Sequence, residues 1–232
     1  MLTLTKGGTW WAPGLAAVSL ALLALCSTPA NAGGLSLTTI GSTGTVNDAM
    51  FLQFDPDPAT GTGLIDSFVR VQAAGVEEGY NTDGEVEFDT KTGLFTHSLM
   101  LSAVPLVGIG EVDYREFLLD VNEGGGNNSQ LSLDELKIYV ESTGDLTGYP
   151  SAFGTAVYDL DSGGDNWIVL DADLQSGSGS GDMRAWIPSA SFGTDETRFV
   201  YLYSKFGVKN AANIPVDKYP ALLELLRELR AS

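Results

Sequence analysis

The chain has 232 residues and a formal net charge of −18, from 30 acidic and 12 basic side chains. Hydrophobic residues make up 44% of it and aromatic residues 9%, which is enough for a folded core and excludes a disordered polyanion. One Cys and one His exclude an intrachain disulfide and a Cys-rich zinc site. The acidic balance excludes nucleic acid as a partner, because nothing would neutralise its phosphates.

The first 32 residues are predicted to be a secretory signal peptide. Lys6 supplies a positive charge, residues 15–25 form an apolar run, and residues 30–32 read Ala-Asn-Ala. This order predicts cleavage after Ala32. The apolar run is shorter than the roughly 20 residues that a membrane span needs, so no stable span is expected after cleavage.

Cleavage after Ala32 would also remove the single Cys26, and Leu25 in front of it disfavours lipidation. The mature chain would keep 11 basic and 30 acidic side chains, a net charge of −19. An exported, cysteine-free, acidic and Gly-rich chain indicates a bacterial cell-surface or extracellular protein, because secreted eukaryotic domains of this size more often carry disulfides.

Residues 33–208 are predicted to form one all-β domain. Apolar residues alternate with Lys137, Tyr139 and Glu141 in segment 136–141, which is the period of a half-buried strand. Segment 199–204 is apolar on both faces, and 167–170 is a continuous apolar run. Further strands are predicted at 50–54, 67–72, 96–103, 115–121, 155–160 and 184–187. About ten strands with Gly, Asp and Pro turns between them predict a β-sandwich of the jelly-roll type.

Residues 209–232 are predicted to be a tail that carries a short amphipathic α-helix. Four leucines recur at helical spacing: Leu222, Leu225, Leu226 and Leu229. Pro220 falls near the first turn, where proline is tolerated. The expected arrangement is a helix docked on the sandwich or loosely attached to it. A helix lying on a membrane surface is the alternative.

The pattern Asp-x-Asx-x-Gly-Gly occurs twice, each time after an apolar strand. The first copy contains Asp120 and Asn122, and the second contains Asp159 and Asp161 with Asp165 behind them. Oxygen side chains at positions 1 and 3 with Gly at position 6 match the opening of a calcium loop, although both copies lack the Glu of an EF-hand at position 12. These five residues are therefore predicted calcium ligands. The alternative is that Asx and Gly residues simply make good turns.

Candidate catalytic residues are few, and no enzyme activity is predicted. Paired carboxylates recur at 77–78, at 134–135 and at Glu111 with Asp113, and a glycosidase needs two carboxylates across one sugar. A glycan-active enzyme would need Glu111, Asp113 and Glu135 in one cleft. His97 is interpreted as an ordinary strand histidine, because no nucleophile elbow precedes a helix.

Four aromatic residues are candidates for stacking against a sugar: Trp167, Trp186, Tyr139 and Tyr158. Trp167 lies within an apolar run, so core packing is expected for it. Trp186 and Tyr139 fall at alternating positions that face outward, and they are the predicted glycan contacts.

Four strings carry a resemblance: GVEEGYNTDG at 75–84, VDYREFLLDVN at 112–122, LSLDELKIY at 131–139 and GSGSGDM at 177–183. They resemble uncharacterised exported bacterial proteins of the PEP-CTERM type, over roughly residues 46–207. Those proteins usually end in a Pro-Glu-Pro motif, an apolar span and a basic tail, which an exosortase processes in bacteria that make extracellular polysaccharide. The resemblance implies a surface or matrix protein and brings no catalytic residues. After Gly207 this chain lacks that signal, so free secretion is expected.

We therefore expect an exported, non-enzymatic cell-surface or extracellular-matrix protein, stabilised by calcium and associated with exopolysaccharide or biofilm. Its expected partners are polysaccharide or other surface proteins. A carbohydrate-binding module and a glycan-active enzyme are the two alternatives.

Overall fold

The computed structural model describes residues 33–53, 67–121, 129–174 and 181–209. These residues contain strands and two short 3-10 helices, Leu101–Ala103 and Ser189–Phe192. The strands are β1 (Gly34–Leu37), β2 (Thr43–Val46), β3 (Ala49–Gln53), β4 (Glu77–Tyr80), β5 (Leu99–Met100), β6 (Leu106–Ile109), β7 (Val112–Leu119), β8 (Gln130–Glu141), β9 (Tyr158–Asp159), β10 (Trp167–Asp171), β11 (Met183–Pro188) and β12 (Phe199–Phe206).

The strands form two sheets. The larger sheet has the order β1-β10-β8-β12-β4, with β5 beside β12 and β9 beside β8. The smaller sheet has the order β2-β3-β11-β7-β6. Strand β1 pairs with β10 in parallel, and the other strand pairs are antiparallel. The predicted all-β sandwich is confirmed.

One apolar core lies between the two sheets. Leu37, Ile138 and Ile168 of the larger sheet and Phe51 and Ile187 of the smaller sheet belong to it, each 0% exposed. Each such side chain contributes roughly 1.5–3 kcal/mol when it leaves water. The core therefore fixes which face of each of these strands points outward.

A second, smaller aromatic cluster covers part of the outer face of the larger sheet. Strands β4, β8 and β12 supply Tyr80, Tyr139, Tyr201 and Tyr203, and the segment between β8 and β9 folds over them. The ring of Tyr149 in this segment stacks on that of Tyr203, with centroids 4.2 Å apart. We call this group the tyrosine cluster.

Three predicted strands are shorter or absent in the structure. Segment 67–72 makes only an isolated bridge from Val71 to Thr90, because its backbone groups pair with two different loops. Segment 96–103 keeps only β5 and then turns into a 3-10 helix, and segment 155–160 keeps only β9.

The predicted signal peptide at 1–32 and the predicted helix within 209–232 lie outside the described residues, apart from Lys209. The backbone N–H groups of Val208 and Lys209 donate to the carboxylate of Asp134, at 2.7 and 3.1 Å. Lys209, one residue past the predicted boundary at 208, therefore still bonds to the larger sheet. In the part of the chain that the structure describes, no helix has the length and apolar character needed to cross a membrane.

Candidate functional site

Trp186 lies in the middle of β11, which is the central strand of the smaller sheet. Ala185 and Ile187 on either side of it are buried in the core, at 4% and 0% exposure. Alternation along the strand therefore places Trp186 on the outer face of the sheet, where it is partly exposed. Its direct neighbours across the sheet are Met50 on β3 and Glu116 on β7.

The indole ring of Trp186 is held in one orientation by a carboxylate. Its Nε1–H donates to Oε2 of Glu116 at 2.7 Å, and the guanidinium of Arg184 lies 3.3 Å from the same oxygen. Because Glu116 pairs with Arg184, the formal charges at this point of the face cancel.

The strand register identifies the other residues that share this face. Thr45 lies opposite Met50 and Thr43 opposite Leu52, while Tyr114 lies opposite Pro188. All of these side chains are partly or fully exposed. We call the surface the Trp186 face; it consists of Thr43, Thr45, Met50, Leu52, Tyr114, Glu116, Leu118, Arg184, Trp186 and Pro188.

A shallow hollow of about 150 Å³ opens on the Trp186 face. Thr43, Thr45, Met50 and Trp186 border it. Pockets that enclose small molecules are larger, roughly 300–1,000 Å³. The Trp186 face is therefore an open platform, with an aromatic ring beside it, rather than an enclosing pocket.

Tyr139, the second predicted glycan contact, is not part of this face. Alternation correctly places it on the outside of the larger sheet, but it is only 6% exposed. The rings of Tyr149 and Phe153 cover it, with centroids 6.0 and 5.2 Å away. The prediction that Tyr139 offers its ring to a sugar is therefore wrong, because the segment that follows β8 packs on top of it.

The two remaining aromatic candidates have structural contacts. Trp167 lies on the outer face of β10 between the buried Asn166 and Ile168 and is partly exposed, so the expected core packing is wrong. It packs against Gly34, where an added Cβ would approach the indole to 2.5 Å, and Lys209 Nζ lies 5.0 Å from its ring centroid. Tyr158 donates its hydroxyl to the carbonyl of Val46 at 3.1 Å. Burial raises the pKa of Tyr158 well above its usual range.

The second predicted calcium loop is built as a hydrogen-bonded turn. Oδ1 of Asp159 accepts the N–H of Asp161 at 3.0 Å, and Oδ1 of Asp161 accepts the N–H of Asn166 at 3.0 Å. Asp165 pairs with Lys209 at 2.8 Å. Burial, with a contribution from the charge of Asp159, raises the pKa of Asp161. The two crowded carboxylates thus bond the backbone through one oxygen each.

The first predicted calcium loop is described only at its start. Asp120 lies in the described residues, whereas Asn122 falls in 122–128, outside them. Within the described ranges, no three His, Cys, Asp or Glu side chains come together as a metal site. Calcium binding stays a prediction.

The acidic residues that a glycan-active enzyme would need are on different sheets. Glu111 and Asp113 border a surface hollow of about 390 Å³ beside Pro188. Glu135 lies on the larger sheet, with its carboxylate 3.6 Å from Lys137 and 3.7 Å from Lys205. The three carboxylates do not share one cleft.

The remaining residues that the sequence analysis considered, Glu77, Glu78 and His97, have hydrogen-bond partners within the protein. Glu77 accepts the N–H of Ala73, and Glu78 accepts the hydroxyl of Tyr203. Nδ1 of His97 lies 2.8 Å from the carbonyl oxygen of Ser98. The hydrogen bonds of these groups are to neighbouring protein atoms.

No protein-family model matches the chain, and no curated protein and no solved structure matches it either.

Proposed function

We propose that the protein is an exported, non-enzymatic component of the bacterial cell surface or extracellular matrix that binds polysaccharide through the Trp186 face. The observation that supports this choice is the partly exposed indole of Trp186, fixed by Glu116 on the outer face of the smaller sheet. Sugar rings present C–H groups on their faces and hydroxyls at their edges. An aromatic ring with polar neighbours offers both kinds of contact.

The fixed orientation of Trp186 favours binding energetically. A ring that already stands in place loses little conformational freedom when a ligand stacks on it, so more of the contact energy appears as affinity. Thr43 and Thr45 on one side and Glu116 on the other place hydroxyl and carboxylate oxygens near the ring. Trp residues in such settings often dominate binding energy.

The composition of the face supports binding rather than hydrolysis. Glycoside hydrolysis uses two carboxyl groups, about 5–10 Å apart, on either side of the scissile bond. The Trp186 face has one carboxylate, Glu116, and it is paired with Arg184 and with the indole. Export rests on the order of residues 1–32 and on the absence of Cys from residues 33–232.

Affinity electrophoresis tests the proposal. Mature protein is run through native gels that contain a panel of dissolved bacterial exopolysaccharides and plant glucans, and we expect at least one of them to retard it. Trp186→Ala should weaken the retardation about tenfold, which corresponds to about 1.4 kcal/mol. Phe95→Ala, which truncates another exposed aromatic residue outside the Trp186 face, is the matched control. Equal retardation of wild type and Trp186→Ala, or none in any gel, would contradict the proposal.

A further inference from the structure

We infer that the polysaccharide held by the Trp186 face is an uncharged one, bound as an extended chain across Trp186 and Tyr114. This inference rests on the proposed function and adds the class of glycan and a second stacking residue.

The charge argument starts from the residues of the face. The Trp186 face contains one carboxylate, Glu116, and one guanidinium, Arg184. Nη1 of Arg184 lies 3.3 Å from Oε2 of Glu116. Acidic sugars are recognised by cationic groups, above all by an Arg that grips a carboxylate with two donors. Here the guanidinium already faces a carboxylate of the protein. An acidic glycan would bring negative charge next to Glu116 without meeting an uncompensated cation on this face.

The charge of the whole molecule acts in the same direction. With 30 acidic and 12 basic side chains the chain repels polyanions as they approach. An uncharged glycan experiences no such repulsion. Its hydroxyls can also donate to Oε1 of Glu116, the oxygen that does not take part in the contacts to Arg184 and Trp186.

The arrangement of the aromatic residues indicates an extended chain. Trp186 lies opposite Glu116 on β7, and Tyr114 is two residues further along that strand on the same face. Diagonal neighbours of this kind have α-carbons about 7–8 Å apart. Two aromatic side chains at this spacing on one face can contact successive sugar units. A ligand that inserted only its end would need a deep pocket, and the hollow beside Trp186 is shallow.

The test compares two soluble polymers with the mature wild-type protein: a neutral β-glucan and a polyuronate of similar length. We expect retardation by the glucan alone, unchanged between low and high salt. Tyr114→Ala should weaken glucan binding about tenfold and Tyr114→Phe, which keeps the ring, should restore it. Circular dichroism of the variants reports whether each one folds.

The outcomes separate the two proposals. Polyuronate binding that depends on Trp186 and falls with salt would overturn the uncharged-glycan inference and leave the proposed function standing. Glucan binding that depends on Trp186 but is equal in folded Tyr114→Ala would overturn the extended-chain part. A lack of Trp186-dependent binding to any polymer, including the wider panel, would overturn the proposed function itself.

Discussion

At the scale of single residues, Asp182 is a buried carboxyl group of which one oxygen accepts a hydrogen bond and the other has no partner among the described residues. It is 2% exposed, and its Oδ2 accepts the N–H of Val121 at 2.6 Å. Its Oδ1 has no hydrogen-bond partner among the described residues. Burial is the main reason why the pKa of Asp182 rises to about 6, and the charge of Asp120 adds to it. The ionised form is therefore costly in the folded state.

This cost predicts a pH-dependent stability. Because the pKa of Asp182 is higher in the folded chain than the ordinary 3.8, its protonation stabilises the fold at low pH, and this contribution is lost as pH rises through about 6. Asp182→Asn keeps an acceptor for Val121 and cannot ionise. We expect it to be more stable than wild type by about 1–3 kcal/mol at about pH 7.5 and nearly equal to it at about pH 4. Denaturant unfolding at both pH values measures the difference.

Asp173→Asn is the control for this comparison, because Asp173 is an exposed carboxyl group. Its stability should follow that of wild type at both pH values. If Asp182→Asn also followed wild type in parallel from acid to neutral pH, Asp182 would not carry the expected charge penalty.

At the scale of elements, the segment over the tyrosine cluster is predicted to stabilise the larger sheet. Tyr149 stacks on Tyr203 at 4.2 Å and meets Phe153 edge-on at 5.5 Å. Tyr149→Ala removes these contacts and should lower stability by about 2–3 kcal/mol, or the melting midpoint by about 4–12 °C. Tyr149→Phe keeps the ring and should stay within about 2 °C of wild type. A thermal melt decides, and equal midpoints for Tyr149→Ala and wild type would show that the segment packs without stabilising the sheet.

Calcium is predicted to bind in the loop that contains Asp159 and Asp161. Asp159 and Asp161 use Oδ1 for the turn, and Oδ2 of Asp159 lies 3.8 Å from Nζ of Lys137. An ion would have to displace Lys137 and bind the Oδ2 atoms together with oxygens of neighbouring loops. A site filled at 100 times its Kd would add about 2.7 kcal/mol, which raises the midpoint by roughly 5–11 °C. We expect this rise between melts in EDTA and in millimolar calcium, and its loss in Asp159→Asn combined with Asp161→Asn. Identical wild-type melts in EDTA and calcium would show that these loops are turns that do not bind calcium.

Long strands with clear alternation were predictable, and short ones were not. Strands β11 and β12 have six and eight residues with a buried face and were predicted to within two positions, and the second half of β8 was predicted at 136–141. Strands β1, β2, β4 and β6 have four residues each, including one Gly, which weakens both the alternation and the strand propensity. Their pairing depends on neighbours that are distant in sequence.

In the candidate site, too, some residues were predictable from the local sequence pattern and others were not. Alternation was sufficient to place Trp186 outside the core, because it depends only on adjacent residues. Tyr139 shows the same alternation, but the burial of its ring depends on Tyr149 and Phe153, which no local pattern links to it. Glu116 was not singled out, since only the register of β7 against β11 brings it to the indole.

At the scale of the whole molecule, the last described residues, 207–209, bond to the larger sheet of the sandwich and to the loop before β10. The N–H of Gly207 donates to the carbonyl of Ser132 at 2.9 Å, and Lys209 pairs with Asp165 beside Trp167. A chain that ends at Lys209 keeps all these contacts. We expect deletion of residues 210–232 to leave the thermal midpoint within about 2 °C, whereas a deletion that starts at 207 should lower it by more. Insoluble protein from the first deletion would show that the leucines of the predicted tail complete the core.

The central claim is that a polysaccharide stacks on Trp186, and the indole N–H signals in a proton–nitrogen correlation spectrum report on it directly. Residues 33–232 contain two tryptophans, Trp167 and Trp186, so two such signals are expected from protein that begins at Gly33. Trp186→Phe assigns them by removing one. Titration with a soluble neutral β-glucan oligosaccharide should shift the Trp186 signal progressively and leave that of Trp167, which packs against Gly34, in place. An unmoved Trp186 signal in the presence of a glycan that retards the protein would contradict the account.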